Sequence, residues 1–189
     1  MKLKMTTLIC CALLVACSVR TPIEVVKPPE NPEILKSADL LLRNFSVKPG
    51  LANGTATINH VKHAAKDYLI AKDLFKSVAE AGNQNTEPPL LTVDVQLTDV
   101  RIVRTGVRVL TGFFAGRSHI KMVASIIDKD GKQIAQKELF GAPNSLTSSL
   151  SYGQNDRSLP ARMGYLLGDY VISEAYKYCQ AMTSQNQGT

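Results

Sequence analysis

The sequence predicts an α+β domain: a small, mostly antiparallel sheet with two helices packed on one face, in the order β-α-β-β-β-α. Three observations carry this. Apolar residues recur at spacings of three and four in two stretches, one centred on residues 58–81 and one near the C-terminus. They alternate with polar residues over 91–97 and fall at every second position over 120–126, the mark of strands with one buried face. A turn at 128–132 then sends the chain back as an antiparallel partner.

Each element follows from its own residues. Residues 38–47 are a short apolar run that reads as the first strand, ended by Pro49, Gly50, Asn53 and Gly54. From 58 to 81, Val61, Ala64, Tyr68, Ala71, Phe75 and Val78 share a helical face, and Gly82-Asn83 supplies the stop. Leu91, Val93, Val95 and Leu97 alternate with Thr92, Asp94, Gln96 and Thr98. The phase slips at Asp99, because Val100 and Ile102 are even-numbered, so a bulge or bend is expected there. Ile120, Met122, Ala124 and Ile126 line the next strand, and Asp128-Lys129-Asp130-Gly131-Lys132 is the hairpin turn, with Gly131 free to take positive φ. Residues 133–140 return. Residues 142–156, rich in Ser, Asn and Gly, read as a mobile loop. Ser158 is placed to cap the last helix, with Pro160 in its first turn, and Met163, Leu167, Tyr170, Val171, Ala175 and Tyr178 form its buried face. Residues 35–182 therefore suit one domain, long enough for a core without staples, followed by a polar tail at 183–189.

The N-terminus has a different logic. Lys2 and Lys4 give a positive start, residues 8–15 an apolar stretch and Ala16 a small residue, the three parts of an export signal. Residues 5–16 are too short for a membrane span, which needs about 20 apolar residues, so 1–16 are expected to be removed. Leu14-Val15-Ala16-Cys17 resembles the lipobox of bacterial lipoproteins. The resemblance implies diacylglycerol on the Cys17 sulfur and cleavage before it. Two or three acyl chains, at about 0.8 kcal/mol per buried CH₂, make such an anchor permanent. Ser18 rather than Asp after the cysteine implies the periplasmic face of the outer membrane. Residues 17–34 read as an extended tether, and the stretch 21–32, with Pro22, Pro28, Pro29 and Pro32, reaches up to roughly 40 Å at about 3.1 Å per residue.

Loss of the leader takes Cys10 and Cys11 with it and commits Cys17 to lipid, so Cys179 alone remains and no internal disulfide is expected. Cys179 lies in an apolar helical stretch, where a thiol behaves as a small hydrophobe. Removing Lys2 and Lys4 lowers the formal charge from +6 to +4. Export turns that mild basicity away from nucleic acid and toward an envelope protein or an anionic envelope component.

Residues 90–175 resemble an uncharacterised family of Gram-negative envelope lipoproteins, a domain of unknown function. The features that carry the likeness are a strand, the glycine-rich turn Thr111-Gly112-Phe113-Phe114-Ala115-Gly116-Arg117, a strand ending at Asp128 with Asp130-Gly131, and a closing amphipathic helix. The resemblance implies a small α+β domain with no assigned activity.

No catalytic set stands out. The stretch 112–118 echoes a phosphate loop but is one residue short between its glycines and carries Arg117 where Lys is required. His60 and His63 lie three apart on the first helix with Asp67 four further on, but a metal site also needs an ordered second shell, and the histidines read as solvated. No cofactor or metal is expected. Gly164 and Gly168, four apart, permit a close approach, expected of a helix on the sheet, with a dimer contact as the alternative. The candidate partner-binding residues are Arg101, Arg104, Arg108, Gly112, Phe113, Phe114, Gly116, Arg117 and Lys121, a turn with a basic flank that a folded hairpin could gather. The expected function is a non-catalytic binding or assembly module of the envelope. The alternatives are a cell-wall or lipid hydrolase using carboxylates or a serine within 145–151, and a structural subunit of a secretion or conjugation complex.

Overall fold

A computed structural model describes residues 31–82, 90–143, 151 and 154–186. The export signal, Cys17, residues 18–30 of the tether and most of the loop at 142–156 lie outside the described residues. The chain starts with a 3-10 turn, Pro32–Ser37, then runs β1 (Asp39–Val47), α1 (Gly54–Lys72), β2 (Ser77–Glu80) and β3 (Leu91–Arg101). A short helix α2 (Thr105–Thr111) and a 3-10 turn (Gly112–Ala115) lead into β4 (His119–Asp128), β5 (Gln133–Gly141), a helical turn α3 (Gln154–Arg157) and the long α4 (Leu159–Asn186).

The domain is mixed α and β, with five strands in the order β2-β1-β3-β4-β5. The longer ladders, β3 with β4 and β4 with β5, are antiparallel, whereas β1 pairs parallel with β2 and with β3. α1 is therefore the crossover of a β-α-β unit, the length of connection that parallel neighbours need. Inward positions Leu40, Leu42, Val93, Val95, Leu97, Ile120, Met122, Ala124 and Ile126 are buried against Ile58, Val61, Ala65 and Leu69 of α1 and Met163, Leu167, Val171 and Ala175 of α4. Both long helices cover the same face.

Two expectations hold in detail. The β3–β4 register shifts between Leu97 and Asp99, where the alternation slipped. The hairpin closes as predicted: Asp128 Oδ1 accepts the N–H groups of Asp130 and Lys132 at 3.0 and 2.9 Å, and Gly131 has φ +81°.

Three differ. The first helix spans 54–72, not 58–81, because Asp73 takes a left-handed conformation (φ 48°) and returns its N–H to the Ile70 carbonyl. Phe75 is buried beyond the helix, and Val78 belongs to β2, whose backbone bonds to the β1 edge. The apolar spacing of 71, 75 and 78 suits a helix equally, so periodicity alone runs through the stop. The order β-α-β-β-β-α thus gains a strand after the first helix. The two-helix count also changes, since residues 105–115 are helical, overlapping the glycine-rich turn expected at 111–117, and α3 precedes α4. Finally, α4 runs on to Asn186, past the polar break expected at Gln180.

At the start, Leu35 is fully buried and the Asn31 N–H donates to the Tyr176 hydroxyl at 3.3 Å, so the 3-10 turn packs as part of the fold. Within α4, Gly164 lies against the backbone of α1: a Cβ there would stand 2.6 Å from Ala64 Cβ, 2.7 Å from the Val61 carbonyl oxygen and 2.8 Å from the Ala65 nitrogen. Gly168 meets the Tyr68 ring in the same way. These glycines set a helix-on-helix crossing rather than the helix-on-sheet contact expected.

Candidate functional site

β1 and β3 are parallel and begin at one end of the sheet, so the excursion that follows β3 lies at the other end. Its neck is tied. The Val103 N–H donates to Ser118 Oγ at 2.9 Å, and both residues are buried. Arg101, the last residue of β3, turns its guanidinium onto Gly116, donating from Nη2 to the Ala115 carbonyl at 3.4 Å. Gly116 has φ +86°, and a Cβ there would come within 2.9 Å of that same nitrogen. The glycine is thus required by its conformation, while the flexible arginine end lying over it could shift aside. A third tie comes from α3, where Arg157 Nε donates to Thr105 Oγ1 at 3.0 Å.

Beyond this neck four described apolar side chains stand in water. Val107 is 44% exposed, Val109 60%, Leu110 86% and Phe114 81%. Arg104 and Arg117 are exposed at the two feet of the excursion. Of the remaining candidates, Arg108 lies on α2, and Gly112 and Phe113 lie in the 3-10 turn. Lys121 is further down β4 and pairs with Glu138 of β5 at 2.9 Å. Asp99 is its register neighbour on β3 and binds His119 Nε2 at 2.9 Å, and the His119 ring stacks on Phe140 with centroids 6.3 Å apart.

The fold thus sorts the predicted set into different duties. Arg101 and Gly116 hold the neck together, Lys121 belongs to a mixed-charge row on the sheet, and Arg104, Arg117 and Phe114 face solvent. Val107, Val109 and Leu110 were not singled out from sequence, although the run Val107-Arg108-Val109-Leu110 has neither a strand's alternation nor enough length for a packed helix. That misfit was the available signal.

Elsewhere, described ionisable groups tie elements of the fold together or lie buried. Lys62 and Lys66 of α1 both reach Glu80 of β2, at 2.5 and 2.9 Å, and hold its carboxyl down to about 2. The Tyr68 hydroxyl donates to Asp169 at 2.5 Å; burial, then that carboxylate, push its pKa up to about 12. Cys179 is buried and its thiol is pushed up by desolvation, away from the thiolate a nucleophile needs. His60 and His63 are exposed on α1. Among the described residues no three His, Cys, Asp or Glu gather as metal ligands, and no helix is long and apolar enough to cross a membrane.

A protein-family model, Domain of unknown function (DUF4410), matches residues 51–175. No curated protein matches the chain. Among solved structures, a PelC dodecamer from Paraburkholderia phytofirmans is similar, with 13% identity over 72% of this chain and 91% of that one, and a TM-score of 0.47. A leucine-to-methionine variant of the PelC dodecamer from the same organism has 16% identity over 70% of this chain and 88% of the other, and a TM-score of 0.45.

Proposed function

The chain belongs to the DUF4410 family, a domain of unknown function, and from that premise we propose that it is a lipid-anchored, non-catalytic binding module of the Gram-negative cell envelope. Acyl chains on Cys17 hold it to the periplasmic face of the outer membrane, residues 17–30 give it reach, and the folded domain binds an envelope component through the excursion at 105–117. The observation that carries the reading is the exposure of Leu110 and Phe114, at 86% and 81%, on a segment whose neck is fixed by hydrogen bonds. A soluble domain seldom leaves such side chains in water together unless something covers them.

Two measurements test this. Cys17→Ser should move the chain out of the membrane fraction and change its processed mass; an unchanged fraction and mass would sink the anchor. Crosslinking in intact cells should capture an envelope component, with retention falling for Arg104→Glu combined with Arg117→Glu while circular dichroism is unaltered. Equal retention would remove the basic flank from the reading.

A further inference from the structure

We propose that the excursion at 105–117 is an interfacial wedge for an anionic phospholipid bilayer, its apolar apex entering the acyl boundary and Arg104 and Arg117 meeting headgroup phosphates. This deepens the envelope-binding reading and rests on the anchoring of Cys17 proposed there.

Four observations converge. The first is concentration: of the seven exposed large apolar side chains described, Val107, Val109, Leu110 and Phe114 fall in this one segment, whereas Ile70, Phe140 and Tyr165 stand apart on three other elements. The second is form. The segment is an excursion between β3 and β4, tied at its neck, whose short helix packs chiefly against the adjoining 3-10 turn, and apolar side chains displayed there suit a fluid surface that yields around them, whereas a protein partner must supply a matching recess.

The third is charge. Between Asp99 and Asp128 the chain carries no Asp or Glu, while Arg101, Arg104, Arg108 and Arg117 fall at or within the excursion; Lys121, further down β4, is set apart by its pairing with Glu138. Such a single-sign field draws an anionic surface, and the planar guanidinium fork matches phosphate oxygens two at a time. The exposed Arg104 and Arg117 sit at the feet of the apex, at the level headgroups would occupy once the apolar side chains were inserted.

The fourth is reach. The chain enters the domain at the end of the sheet opposite the excursion, and the 11 residues of β3 span about 36 Å at roughly 3.3 Å per residue. From Cys17 to Asn31 an extended chain covers about 43 Å at about 3.1 Å per residue. One bilayer can therefore hold the lipid on Cys17 and receive the apex.

The test uses the chain from residue 17 onward with Cys17→Ser, which keeps every described residue and removes the acyl contribution. It should co-sediment with vesicles of equal parts phosphatidylethanolamine and phosphatidylglycerol, bind phosphatidylcholine vesicles more weakly, and lose binding as salt rises. Leu110→Glu with Phe114→Glu should weaken binding at least about tenfold. Arg104→Glu with Arg117→Glu should abolish the preference for the anionic vesicles. On vesicles, hydrogen exchange should slow at residues 105–117, a readout in the unsubstituted domain that does not depend on any variant folding. No vesicle binding, or protection confined to other segments, overturns the wedge. Capture of a protein through Leu110 in cells, without vesicle binding, also overturns it while leaving the envelope-binding reading intact. Failure of the Cys17 fractionation experiment removes the anchor instead, and is read separately.

Discussion

Gly164 shows how one missing methyl group decides a contact. Two of the three atoms a Cβ would meet are the Val61 carbonyl oxygen and the Ala65 nitrogen, both backbone of α1, so no side-chain rotation relieves the clash. Gly164→Ala must push α1 and α4 apart and is expected to cost about 1–3 kcal/mol. Urea unfolding checks this: the midpoint should fall with the slope unchanged, and an unaltered midpoint would show that the crossing is looser than described. Gly168→Ala should cost less, since it meets the Tyr68 side chain, although the bond from that hydroxyl to Asp169 limits how far the ring can turn. The sequence made the close approach legible through the four-residue spacing of the glycines. It did not name the surface approached, because small residues permit contact with a sheet, a helix or a second chain equally, and only the fold puts α1 there.

What held for elements depended on whether the signal was local. The β4–β5 hairpin carries its own turn chemistry, and the β3 bulge shows as a slipped alternation, so both were readable. β2 was not. It is four residues long, its pairing with β1 is parallel and distant in sequence, and its Val78 continues the apolar rhythm of α1. Its attachment rests partly on Glu80, held between Lys62 and Lys66, with all three side chains largely shielded from water. These lysines lower the Glu80 pKa to about 2 from an ordinary value of 4.5. A carboxylate with a depressed folded pKa adds stability that is complete above the unfolded value and is lost as pH falls through the folded one. The contribution, on the order of 1–2 kcal/mol once solvent screening is allowed for, should therefore disappear between about pH 4.5 and pH 2. Glu80→Gln should be less stable at neutral pH and show a shallower loss across that acid window. Parallel pH profiles for the two proteins would mean that the lysine pair does not secure β2.

For the molecule as a whole, the two ends of the sheet have separate roles in the proposed arrangement, and the chain outside the fold decides whether they can work together. The 3-10 turn Pro32–Ser37 is packed against α4, so slack cannot be gained by peeling the start of the domain without exposing the buried Leu35. The reach must come from residues 17–30. This leaves little surplus, since the foot of the excursion lies about 36 Å away along β3 and the tether spans about 43 Å as a proline-rich extended chain. Deleting residues 21–28 shortens the tether by about 25 Å, to roughly 20 Å. The lipid on Cys17 and the apex can then no longer share a bilayer with the domain upright. In membranes from cells making that deletion, the chain should still fractionate with the membrane, yet exchange at residues 105–117 should rise to the rate seen without membrane. Reinserting eight Gly and Ser residues should restore contact only in part, because a flexible segment of that composition has a shorter mean span than a proline-rich one of equal length. Full protection in the deleted chain would mean that the domain lies flat or that the apex contacts something other than the anchoring membrane, and the sharing of one bilayer by anchor and wedge would be refuted.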